Sequence, residues 1–181
     1  MAGSIWGLDI AHSSITFRVR HLMVTKVVGR FQTWGGALVI NDDDFTKSQV
    51  ELAVDAASID TRDANRDEHL RSADFFDVAA YPAITFHSTA IADLGDRYAV
   101  TGDLAMHGHT RSIVLAVDVS PCVLDPWGGT RRGFSARATV SRRDFGLTWN
   151  MALDAGGVLV GDRIDIEIEL EALEVVDSKA A

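Results

Sequence analysis

Four groups of residues in this 181-residue chain have types and spacings that could do chemistry. Asp9, His12 and Ser13 or Ser14 have the composition of an acyl-transfer triad, in which a carboxylate orients an imidazole that deprotonates a hydroxyl. They crowd into one short segment, and no Gly-x-Ser-x-Gly elbow occurs in the chain, so turn hydrogen bonding is the expectation for them. His107 and His109, with His87 and His69 elsewhere, have the types of a zinc site, because alternate residues of a strand share a face. Gly108 between them predicts a turn instead, no Cys or carboxylate sits at ligand spacing, and no metal is expected. Arg62, Arg66 and His69 recur at i, i+4 and i+7 with Asn65 beside them, a stripe that could meet an anionic or carbonyl group. The same stripe could equally be a solvated face paired with nearby acids. Arg18, Arg20, His21 and Lys26 form a second basic cluster near a strand end and leave the same two options.

The elements that must position these groups are mostly strands. The exception spans residues 62–72, where no Gly or Pro interrupts the chain and Asp60 and Asp63 offer an N-cap and an acidic first turn. Asp67 and Arg71 have the spacing of an i,i+4 ion pair, and together these signals predict a helix of about three turns. Leu70 is its only large apolar residue, too little for a core helix. Followed by Phe75, Phe76 and Val78, and then by Tyr81-Pro82 opening a strand at Ala83, it reads as a lid with an apolar underside.

Period-2 alternation marks the strands. It runs through Ile15, Phe17 and Val19, through Val50, Leu52 and Val54, and through Ile84 and Phe86. It returns in Tyr98 to Met106, Ile113 to Val119, Phe134 to Val140, and Ile164 to Leu170. Residues 24–41 predict one long strand, bent at Gly29, Gly35 and Gly36 by bulges or close backbone approach, while Pro121 to Gly129 reads as a loop. About eight strands at hairpin spacing, one helical insertion and no repeated βαβ unit give an all-β antiparallel barrel or sandwich, with the barrel preferred. A barrel of that size either fills with side chains or holds one small ligand. Phe17, Phe31, Phe86, Phe134, Trp149, Met106 and Ile166 would be core in the first case and lining in the second.

Length and a 47% hydrophobic content fit a single globular domain over residues 1–181, with only a short Lys179-Ala-Ala tail. A net charge of −9 opposes general affinity for nucleic acid or for anionic membrane. The single cysteine, Cys122, excludes an internal disulfide, and its neighbours Val123 and Leu124 mark it as inert. No basic n-region or long apolar run precedes Ile5, Trp6 and Leu8, so a cytoplasmic location and no stable membrane insertion are expected.

Three strings within residues 58–89 carry a resemblance: Ser-Ile-Asp-Thr, Arg-Asp-x-His-Leu-Arg-Ser-x-Asp-Phe-Phe-Asp and Tyr-Pro-x-Ile-Thr-Phe-x-Ser-Thr. It continues in Asp9-Ile-Ala-His12-Ser13, His21-Leu-Met-Val-Thr-Lys, Gly102-Asp-Leu-Ala-Met-His107-Gly-His, Arg143-Asp-Phe-Gly-Leu-Thr-Trp149 and Val160-Gly-Asp. In this order the strings resemble the YceI-like family of polyisoprenoid-binding proteins, from Trp6 to about Glu174. The resemblance implies an extended, lipocalin-like barrel holding a long isoprenoid lipid, such as a polyprenyl pyrophosphate or an isoprenoid quinone. Under it, Phe17, Phe31, Phe76, Phe86, Met106, Phe134, Trp149 and Ile166 become the expected apolar lining. His21, Arg62, Arg66 and His69 become the expected head-group contacts. At ~0.8 kcal/mol per buried methylene-sized group, about ten carbons would contribute roughly 8 kcal/mol before ordering costs, so no catalytic constellation is required. The expectation is a non-enzymatic carrier with no cofactor beyond the lipid, and homo-oligomer formation is left open. The rivals are an enzyme using His69 or His21 as acid or base on the lipid, and a stress or interaction protein with a filled barrel. Some family members carry a secretory signal, so a periplasmic carrier role is not transferred.

Overall fold

The computed structural model describes residues 3–175, which excludes the 179–181 tail. The chain forms an up-and-down sheet that closes on itself. β1 (Ser4–Leu8) and β2 (Ser14–His21) are one strand bent at a 3-10 turn, Ile10–His12. β3 (Thr25–Phe31) and β4 (Trp34–Ile40) are likewise one strand broken at Gln32 and Thr33, and β5 (Gln49–Asp55) leads through another 3-10 turn into β6 (Ile59–Asp60). β7 (Ala83–Asp93), β8 (Tyr98–Met106), β9 (His109–Val119), β11 (Thr130–Ser141) and β12 (Val160–Glu174) complete an eight-stranded antiparallel barrel, with the two-residue β10 (Val123–Leu124) added outside it. Barrel closure runs through β12, which pairs with β11 on one side and with β2 and then β1 on the other.

Alternation decides what each strand presents to the interior. Ile164, Ile166, Ile168 and Leu170 of β12 lie opposite Val140, Ala138, Ala136 and Phe134 of β11 and face inward. Asp165, Glu167 and Glu169 face out and meet Lys26, Arg18 and Ser135. Two sequence expectations are corrected, and one strand is added. The long strand over residues 24–41 is interrupted at Gln32 and Thr33 rather than bulged at its glycines. The 121–129 loop contains the short β10. The first strand, β1, carries too few alternations to be read, yet Trp6 within it is 2% exposed and sits in the core.

The helix α1 (Ala64–Arg71) is shorter than expected, about two turns, and starts later. Asp63 is its N-cap, accepting from the Arg66 N–H at 3.0 Å. Asp60 instead belongs to β6, where it accepts from Arg30 of β3 and from Gln32 just beyond that strand. The Asp67–Arg71 ion pair does not form. Asp67 is buried and accepts from the backbone N–H and hydroxyl of Thr61, while Arg71 donates to the Ala57 and Ile59 carbonyls. Buried carbonyls and a buried backbone N–H need partners more than two exposed charges need each other.

Candidate binding cavity

Beneath α1 the barrel encloses a cavity of about 160 Å³ whose wall is almost wholly apolar. Phe17, Phe31, Phe76, Phe86, Met106 and Ile166 are on that wall, and Leu70 and Phe75 roof it from the lid segment. A second chamber of about 60 Å³ lies toward the other end, lined in part by Phe134 and plugged by Phe45, whose ring packs on Tyr98 and Phe134 at 4.4 and 6.4 Å. Leu52, Phe86, Leu115 and Ile168 line both chambers, so they form the partition between them. Two glycines keep the larger chamber open. Phe17 lies flat across its cross-strand partner Gly29, and Phe86 lies across Gly102; a Cβ at either glycine would overlap the ring. The missing side chain lets each ring rest against the sheet instead of projecting into the lumen.

The lid is fastened differently along its two edges. On the β6 side the fastening is polar, from Asp67 and Arg66 to Thr61 and from Arg71 to Ala57 and Ile59. On the opposite side it is a ring contact, with Trp149 packing on His69 at 4.7 Å and on Phe75 at 5.2 Å. Trp149 is set in place by Arg142, which is 3% exposed and donates to the carbonyls of Leu147, Trp149, Val160 and Gly161. Desolvation pushes the Arg142 pKa down, opposed by the nearby Asp162. With its N–H groups committed to these carbonyls and its charge 3.3 Å from the Asp162 carboxylate, Arg142 staples the 147–161 segment although it reaches the cavity wall.

Residues 6–172 match the YceI-like domain. The chain belongs to the YceI-like family. It is 40% identical over 138 residues to a UPF0312 protein of Vibrio cholerae, covering 76% of this chain and 73% of that protein. It is 34% identical over 163 residues to Protein YceI of Escherichia coli O157:H7, covering 90% and 82%. Among solved structures, the YceI protein of Campylobacter jejuni superposes with a TM-score of 0.75 at 26% identity, covering 87% of this chain and 90% of that one. A polyisoprenoid-binding domain from Saccharophagus degradans shares the fold at TM-score 0.72 and 17% identity, covering 96% and 99%.

Within this YceI-like barrel, six of the eight residues expected to line a cavity are on the wall of the larger chamber, and Phe134 is on the wall of the smaller one. Trp149 lies outside both walls, half-buried against the lid edge. The expected stripe of Arg62, Arg66 and His69 does not form. Arg62 precedes the helix with φ at 63° and is exposed. Arg66 turns back to Thr61, and His69 is held by Asp74 at 2.8 Å and by the Trp149 and Phe75 rings. A helix that starts at Ala64 leaves Arg62 outside the periodicity that would align it with the others. His21 ends β2 on the face that carries Phe17 and Val19, one step beyond the cavity wall. Arg142 escaped the sequence reading because nothing in Ser-Arg-Arg-Asp signals burial.

The other groups singled out in the sequence serve the barrel. His12 bonds Asp9 at 3.0 Å, while the Ser13 hydroxyl donates to the Asp9 carbonyl and accepts from the Glu171 N–H, so the Ser13 hydroxyl is engaged with the backbone and not with the imidazole as a triad requires. Asp9, His12 and Glu171 are the one group among the described residues close enough to share an ion. The Arg131 guanidinium already bonds both of its carboxylates at 2.7 Å and reaches Asp125 at 2.7 Å as well. Arg131, and after it His12, holds the Asp9 carboxyl below its ordinary 3.8, and Arg131 does the same to Asp125. His107 and Gly108 form the β8–β9 turn with positive φ, and the His107 ring bonds the Phe145 carbonyl at 3.0 Å.

Proposed function

We propose that this chain binds the tail of a polyisoprenoid lipid inside the barrel and leaves the polar head at the lid end, acting as a carrier rather than a catalyst. The observation that carries this reading is an apolar cavity under a lid whose one edge is held by a ring contact. Family membership and the polyisoprenoid-binding domain that shares the fold support it. A cavity of about 160 Å³ is comparable to one that accepts a benzene-sized guest, so a long tail has to displace the Phe86 partition and enter the second chamber. The wall offers no free charged group, which favours a ligand with a uniformly apolar chain and a head outside, met by His21 at the rim. A quinone and a prenyl pyrophosphate both have that form. Mass spectrometry of an organic extract of the purified protein, followed by titration with an isoprenoid quinone and a prenyl alcohol, tests the reading. One lipid per chain is expected. Bare protein that takes up neither ligand would overturn it.

A further inference from the structure

The β2–β3 hairpin at the lid end carries three apolar residues in water. Met23 is 55% exposed and Val24 77%, Leu22 is also exposed, and Met151 beside them is 56% exposed. Their proximity is fixed by backbone pairing, since Leu22 N–H donates to the Leu159 carbonyl and Leu159 N–H to the Met151 carbonyl. Met23 also packs over Gly157. The turn itself is unusual. Leu22 and Met23 have φ of 53° and 60°, with Val24 N–H closing onto His21 O at 3.1 Å, a geometry that favours Asn-Gly. Two bulky apolar residues thus occupy positions where they strain the backbone and stay largely open to water.

The charges below this tip are also set against the fold. Arg20 and Lys26 lie directly opposite each other, a like-charge cross-strand pair. Lys26 reaches Asp165 at 3.3 Å, whereas Arg20 has no ion-pair partner among the described residues. An apolar tip over an unpaired cation matches a bilayer surface, where the side chains enter the acyl boundary and the guanidinium meets lipid phosphate. We propose that the Leu22–Met23–Val24 tip docks this protein on a phospholipid bilayer, beside the Trp149 edge of the lid. The charge of −9 keeps the rest of the chain off such a surface, so contact is confined to this end.

Co-sedimentation with vesicles of phosphatidylethanolamine and phosphatidylglycerol that contain no isoprenoid tests the docking independently of the cavity. The paired substitution Leu22→Asn with Met23→Gly installs residues the turn favours, so the fold is retained while the apolar tip is lost. It should lower vesicle partitioning at least about tenfold. Arg20→Gln should lower it about fivefold. Trp127→Ser, at an 85% exposed tryptophan on the 121–129 loop, should leave it unchanged. Wild-type protein that stays in the supernatant, a paired variant that sediments like wild type, or self-association without vesicle binding would each overturn the proposal. Vesicle docking without uptake of any prenyl lipid would uphold the docking and count against the carrier reading alone.

Discussion

At the scale of single residues, what holds the lumen open is the absence of two β-carbons. Phe17 and Gly29 are partners across β2 and β3, and the ring occupies the space a side chain at 29 would need. Gly29→Ala should therefore turn the Phe17 ring into the cavity, lowering stability by roughly 1 to 3 kcal/mol and blocking tail uptake. Adding Phe17→Leu should restore much of both, which thermal melts and quinone titration would register; no rescue would mean the ring is not the obstacle. Gly29 was legible in the sequence as a site of close approach. What approaches it was not, because the pairing of Phe17 with Gly29 depends on the three-residue turn that sets the hairpin register. Arg142 marks the same limit from the other side. Its type signals exposure, and only the converging carbonyls of residues 147, 149, 160 and 161 explain its burial.

At the scale of the element, the lid is a helix too short to be stable by itself and too polar to be core. Its place over the barrel was readable from Leu70, Phe75 and Phe76, while its fastening was not, because Asp67 exchanges the local pair with Arg71 for Thr61. The hinge and the latch make different contributions. Phe75 is 6% exposed, and Phe75→Ala should cost about 3 to 5 kcal/mol in denaturant unfolding. Asp67→Ala would leave the buried Thr61 N–H without its acceptor and should cost about 1 to 3 kcal/mol. Trp149→Ala removes only the ring contact with His69 and Phe75, so the expectation is faster tail uptake with a smaller loss of stability. Stopped-flow fluorescence with a polyene isoprenoid would read that rate. An unchanged rate would place tail entry elsewhere.

For the molecule as a whole, closure depends on β12 reaching both β11 and the bent β1–β2 strand, and its alternation of isoleucines with acids was the clearest strand signal in the sequence. A turn with local hydrogen bonds was expected at Asp9 to Ser14 and is found there, but that it bends one strand to serve two stretches of β12 was not legible, since residue types do not fix which strands a turn joins. At the end away from the lid, Arg131 ties β11 to Asp9 at that bend, to Glu171 on β12 and to Asp125 in the outer loop. The guanidinium holds the Asp9 and Asp125 carboxyls below 3.8, so their ionised forms are favoured in the folded chain over the unfolded one. The stabilisation is therefore complete at pH values above about 3.8 and is lost as pH falls through the lower folded values. Asp125→Asn keeps the shape but removes the charge. The variant should melt below wild type near neutral pH, and the gap should close on acidification as wild-type Asp125 takes up its own proton. A gap that stayed constant down to strong acid would mean that Asp125 acts through its bonds to the Trp127 and Gly129 N–H groups, and that the charge on Arg131 contributes little to holding the barrel shut.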